Sequence, residues 1–175
     1  NLSSVLRLDS QTGEWAEIAA MSAPRSGVAV AGLQGKLYAC GGSPITDAVE
    51  CYDPRTGEWT AVASMGLARH WPCVVALDGK LYCMGGLTPD SATTNTVEVY
   101  DPVADAWSAV APMIDARLDF GAGVLDGKIV VCGGEGADYK PTQAVERYCP
   151  STDSWERLPP PPMLDGRYAH GVAVC

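Results

Sequence analysis

Residues 48–65 read AVECYDPRTGEWTAVASM, and the markers in that stretch return along the chain at constant phase. Tyr52 stands 7 residues before Trp59, and Met65 stands 6 residues after it. Tyr100 and Tyr148 keep the same lead on Trp107 and Trp155, with Leu8 in that place before Trp15. The tryptophans are separated by 44, 48 and 48 residues, and the diglycines Gly41-Gly42, Gly85-Gly86 and Gly133-Gly134 by 44 and 48. Met21 and Met113 follow their tryptophans by 6 residues; Met163 follows by 8, because the prolines at 159–162 lengthen the turn. Arg25, Arg69, Arg117 and Arg167 each lie 4 residues after a methionine. Self-similarity at such a period marks a repeat architecture in which each copy is one supersecondary unit.

Upstream of the quoted stretch, Gly27 to Leu33 and Lys36 to Cys40 are short apolar runs joined by Gln34-Gly35. Cys73 to Leu77 and Lys80 to Met84 are joined by Asp78-Gly79, and Gly121 to Leu125 and Lys128 to Cys132 by Asp126-Gly127. Asp-Gly between apolar runs predicts a tight hairpin, since both turn residues must accept positive φ. A third strand is expected at Ala48 to Tyr52, Val97 to Tyr100 and Ala144 to Tyr148, and a fourth carries each tryptophan. Between them, Asp53 to Gly57, Asp101 to Asp105 and Pro150 to Asp153 read as turns. Nothing has helical periodicity. Each unit is therefore an antiparallel meander of four strands.

A meander of this size cannot bury both faces alone, so its copies must stack. Radial stacking gives a β-propeller with the first strand near the axis and the fourth outside. Tryptophan, tyrosine and methionine then form the wedge between blades, and diglycine marks backbone that packs too closely for a Cβ. Complete units run over 22–65, 66–113 and 114–163. Residues 1–21 supply the last two strands of an earlier blade, and 164–175 the first strand of a later one. The fold class is all-β: about three complete four-stranded blades with partial blades at both ends.

The 175 residues are 47% hydrophobic, enough for a buried core. A net charge of −9 repels a phosphate backbone, so nucleic acid is not an expected partner; the charge reads first as a soluble, acidic surface and alternatively as a match for a basic partner segment. No run approaches the ~20 apolar residues of a membrane helix, and no signal peptide is visible. The seven cysteines form no CxxC pair and no zinc spacing with histidine. Cys40 and Cys132 each precede a diglycine, and Cys51 and Cys149 flank a strand tyrosine, which suits small buried side chains. Thiols in that number and placement point to a reducing compartment, hence the cytoplasm.

The diglycine, the Glu-x-Tyr-Asp-Pro string, tryptophan with methionine six residues on, and arginine opening the next unit together resemble the kelch family. Residues 48–65 are most similar to the propellers of BTB-kelch proteins. The resemblance spans the chain and implies a propeller of six blades, no cofactor, and protein binding without catalysis. It implies a substrate-recognition role in a cullin-RING ubiquitin-ligase adaptor, or a structural place in a cytoskeletal assembly such as actin. The repeat specifies the fold far more tightly than the function.

In a meander, the connections between second and third strands emerge on the same side as those between blades. These loops differ in length and composition while the framework repeats, as on a scaffold that presents a binding site. They are 43–47, 87–96 and 135–142, with 22–26, 66–71, 114–120 and 164–168. The resemblance implies that a partner peptide docks there on arginines, serines and aromatics. The matching candidates are Arg25, Ser26, Arg69, His70, Trp71, Arg117, Phe120, Tyr139, Arg167 and Tyr168. The arginines recur in every unit, so two roles stand open: ligand contact, or bonding to neighbouring loop carbonyls. Trp71, Phe120 and Tyr139 are unrepeated and so carry specificity, although Trp71 and Phe120 also suit filling of the axial channel. A copper oxidase would need histidine ligands, and only His70 and His170 are present. A sugar isomerase would need carboxylate and arginine in a central pocket, for which Asp115 or Asp119 with Arg69 and Arg117 are the available set.

Overall fold

The computed structural model describes residues 1–159 and 163–173. A two-stranded pair, β1 (Val5–Leu8) with β2 (Trp15–Ile18), precedes three four-stranded sheets. The first sheet is β3 (Ala29–Leu33), β4 (Lys36–Cys40), β5 (Val49–Asp53) and β6 (Glu58–Val62). The second is β7 (Cys73–Leu77), β8 (Lys80–Met84), β9 (Val97–Asp101) and β10 (Ala106–Val110). The third is β11 (Gly121–Leu125), β12 (Lys128–Cys132), β13 (Val145–Cys149) and β14 (Ser154–Arg157). Each is an antiparallel meander in sequence order. No helix occurs among the described residues.

The hairpins between first and second strands have the left-handed geometry the sequence requires. Gln34 and Gly35 have φ of 51° and 75°, Asp78 and Gly79 51° and 75°, and Asp126 and Gly127 50° and 68°. Paired positive φ matches the twist of the flanking strands. In the third-to-fourth turn, the Asp53 and Asp101 carboxylates accept the Arg55 and Val103 amides, both at 2.9 Å. Such a bond folds the chain back locally.

The first strands sit side by side, β3 against β7 and β7 against β11. Two apolar cores fill the spaces between the sheets. One joins Tyr38, Cys40, Val49 and Met65 to Val74, Leu81, Cys83 and Tyr100; the other joins Tyr82, Met84, Val97 and Met113 to Phe120, Ile129, Val131 and Tyr148. The tryptophans act across blades as well as within them. Trp59, Trp107 and Trp155 each donate the indole N–H to a carbonyl of the preceding unit, of Ala19, Ala63 and Ala111, at 2.8–2.9 Å. Their rings lie 5.1–5.4 Å from those of Tyr52, Tyr100 and Tyr148, an offset contact that buries the phenol edge.

The diglycine has a defined physical cause. The second glycine donates its N–H to the carbonyl of the next unit's arginine: Gly42 to Arg69, Gly86 to Arg117 and Gly134 to Arg167, at 2.7–2.9 Å. A Cβ on Gly41 would lie 2.5 Å from that Arg69 carbonyl, and Gly41 has φ of +67°. Only glycine satisfies both conditions.

Residues 163–173 form no strand; the phase of β3, β7 and β11 puts the first strand of a further blade at 171–175, which runs beyond the described residues. The segment nonetheless docks on the third sheet through the Gly134–Arg167 and Ala169–Asp119 backbone bonds. Val174 and Cys175 lie outside the described residues.

Candidate partner-binding face

The loops named above lie on one side and are sewn together by their backbones. Ser26 pairs with Ser43, His70 with Leu87, and Leu118 with Glu135, each across the two loops of one blade. Thr46 pairs with Arg69 across neighbouring blades. Sequence order alone thus delivers the loops to a common face, and these bridges hold them there.

Arg25, Arg69 and Arg117 do not belong to that face. All three side chains are buried, Arg69 and Arg117 with no exposure at all. Arg69 donates to the Gly85 carbonyl at 2.8 Å, the Thr96 carbonyl at 3.1 Å and the Glu98 carboxylate at 2.9 Å. Glu98 also accepts the Gly66 amide at 2.6 Å and the Leu67 amide at 3.2 Å. Arg25 with Glu50 and Arg117 with Glu146 repeat this arrangement. Of the two roles left open for the arginines, the structure selects the framework one for these three. A guanidinium taken out of water must meet carbonyls and a carboxylate, and a partner would have to displace those bonds. Their carboxylates were missed in the sequence. The signal was present as Glu50, Glu98 and Glu146, each two residues before the strand tyrosine. Leu6 holds that place in the first unit.

Phe120 is also withdrawn from the face. It is buried in the second core and lies against the Gly85 and Gly134 backbones. The remaining candidates stay at the surface. Ser26 and Arg167 are exposed, while Trp71, Tyr139 and Tyr168 are 40%, 53% and 50% exposed. The Tyr139 hydroxyl donates to the Ser91 carbonyl at 2.8 Å and so ties together the long loops of adjacent blades. His70 is half-buried and stacked on Trp71, with ring centres 3.7 Å apart. Burial holds the His70 pKa below the usual imidazole value, partly opposed by the nearby Asp119 charge.

The face is acidic. Its loops carry Asp47, Asp90, Asp115, Asp119, Glu135, Asp138 and Asp165, none of them buried, against exposed Lys140 and Arg167. A cavity of about 660 Å³ opens on it, lined by Ile114, Asp115, Gly136, Ala137, Lys140 and Gly166 among others. Arg69 and Arg117, which an isomerase-like centre would need, are committed to Glu98 and Glu146 instead. Among the described residues no three of His, Cys, Asp and Glu converge as a metal site. No helix there is long and apolar enough to cross a membrane. The six described cysteines are free; burial raises the Cys73 and Cys83 thiols to about 12.

Comparison with protein families finds the Kelch motif three times, over residues 24–66, 68–114 and 116–162. The chain belongs to the kelch-motif family. Each kelch motif runs along one four-stranded sheet, and the whole is part of a kelch β-propeller. No curated protein matches the chain. Among solved structures, one titled "Structure of YjhT" superposes with a TM-score of 0.82 at 20% identity. The kelch chain aligns over 95% of its own length and spans 62% of that structure's chain. At that identity the likeness is one of fold.

Proposed function

We propose that this kelch propeller is a non-catalytic protein-interaction module that docks a partner segment on the face formed by its second-to-third-strand and inter-blade loops. One observation carries the reading. In the three complete blades the repeating arginines Arg25, Arg69 and Arg117 are spent inside the framework, whereas the unrepeated aromatics Trp71 and Tyr139 stand exposed on one face. Exposed aromatics with few rotamers anchor interfaces at low entropic cost. The finer reading is substrate recognition for a cullin-RING ubiquitin ligase in the cytoplasm, and it rests on the BTB-kelch resemblance of residues 48–65.

Two experiments test the two levels. Capture of cellular partners by the full-length protein should fall about tenfold with Trp71→Ala, as for an interface anchor, at unchanged melting temperature. Undiminished capture by both Trp71→Ala and Tyr139→Ala would remove the loop face as the docking site. Recovery of a cullin with the full-length protein supports the ligase role. Partners recovered without any cullin refute that role and leave the module reading standing.

A further inference from the structure

Gly27, Trp71, Asp119 and Ala169 hold one place in four successive inter-blade loops, two residues after each arginine. All four are left-handed, with φ of 56°, 51°, 53° and 51°. Their backbones join in a chain: Trp71 N–H to Gly27 O at 3.0 Å, Asp119 N–H to Trp71 O at 3.1 Å, and Ala169 N–H to Asp119 O at 2.9 Å. These loops lead directly into the first strands, which flank the propeller axis, so the chain of bonds rims the mouth of the axis. Tryptophan at positive φ is rare and strained, and such strain gathers at binding sites.

The rim is furnished unevenly. Gly27 has no side chain, and the stacked His70–Trp71 pair occupies the space a Cβ there would need. Trp71 keeps 40% of its surface exposed. Alone among the four described tryptophans that follow Trp15, its indole N–H makes no hydrogen bond. Next to it, the half-exposed Asp119 carboxylate has neither salt bridge nor hydrogen bond among the described residues. By contrast, Asp115 on the same loop is paired with Arg157 at 2.7 Å, and Asp138 with Lys140 at 3.3 Å. The rim thus offers an aromatic surface beside an uncommitted anion, within a face whose other loops are acidic.

We infer that this rim is a cation subsite that takes an arginine or lysine side chain from a basic segment of the partner protein. The alkyl stem and cationic head lie on the Trp71 indole, and the head reaches the Asp119 carboxylate. The acidic loops draw the segment in and oppose acidic competitors. The inference rests on the docking-face reading above and adds the chemistry of the partner.

The test uses the full-length protein and displayed peptide libraries with a fixed centre: Arg or Lys, Asp or Glu, or Ser or Ala. Retained sequences are synthesised and measured by fluorescence anisotropy. Peptides centred on Arg or Lys should be enriched, with binding that weakens as salt rises. Asp119→Asn should raise Kd about tenfold, the loss of one charge-assisted contact. Asparagine accepts left-handed backbone, so that variant keeps the loop. Glu156→Gln, on the outer strand β14 away from the face and already paired with Arg147 at 2.6 Å, should change Kd less than about twofold. Equal losses in the two variants, or none in either, overturn the rim as the site. Retention of acidic or neutral peptides that Trp71→Ala releases overturns the basic partner and leaves the docking face intact. Retention of no peptide from any library refutes both.

Discussion

Replacing Glu98 by alanine should be among the most damaging single changes in this protein, because its buried carboxylate holds neighbouring blades together. The carboxylate accepts from Arg69 at 2.9 Å, from the Gly66 amide at 2.6 Å and from the Leu67 amide at 3.2 Å. Its loss leaves a fully buried guanidinium without a counter-charge and two amides without an acceptor. Breaking one side of such a pair costs about 3–5 kcal/mol. Arg69→Met should cost a similar amount, because the Gly85 and Thr96 carbonyls lose their donor. The double variant removes the stranded charge, so its loss should fall short of the sum of the singles by about 2–3 kcal/mol. Urea unfolding measures all three. With a slope of about 2–3 kcal/mol per M, each single should lower the midpoint by roughly 1–2.5 M. The exposed Arg147–Glu156 pair, 2.6 Å apart, supplies the contrast. Its removal should cost below about 1 kcal/mol. Singles that simply add, within about 0.5 kcal/mol, would refute the claim that Arg69 and Glu98 act as one unit.

Three further outcomes follow from particular atoms. Gly41→Ala and Gly57→Ala both force alanine into positive φ, but only Gly41 has the Arg69 carbonyl 2.5 Å from the new Cβ; nothing lies within 4 Å at Gly57. Gly41→Ala should therefore be the less stable by roughly 1–3 kcal/mol in thermal unfolding, and equal losses would contradict the diglycine argument. Asp105 and Asp153 are held below the usual carboxylate pKa, chiefly by the Ala63 and Ala111 amides and then by the Tyr100 and Tyr148 hydroxyls. A depressed folded pKa stabilises above the unfolded value and is lost as pH falls through the folded one. Melting temperature should thus drop below about pH 4, and the Asp105→Asn, Asp153→Asn double variant should show a shallower drop. Hydrogen bonds from Ser151 and Thr152 lower the Cys149 pKa to about 7. Its alkylation by iodoacetamide should rise with a midpoint near that pH, while Cys40 and Cys83 stay unreactive in peptide mapping.

The repeat made nearly all of the framework legible. The Gln34-Gly35, Asp78-Gly79 and Asp126-Gly127 hairpins follow from local chemistry, because two residues must turn left-handed in place. The strands follow from short apolar runs and from turn residues at fixed offsets. Less of the binding face could be read. Arg69 and Trp71 are two residues apart and both stand among the candidates, yet one is wholly buried and the other 40% exposed. Phe120 looked as free as Trp71 and fills a core instead.

The sequence by itself determined how each unit of the kelch propeller folds and that the units stack, because turns and periodicity act over a few residues at a time. Only the tertiary structure decided which polar groups are consumed by the fold and which remain for a partner. Arg69 meets Glu98 across 29 residues, and Trp71 meets Asp119 across blades. Such meetings depend on how neighbouring units close on one another. A buried charge then keeps whatever partner that closure supplies, and an exposed one stays available.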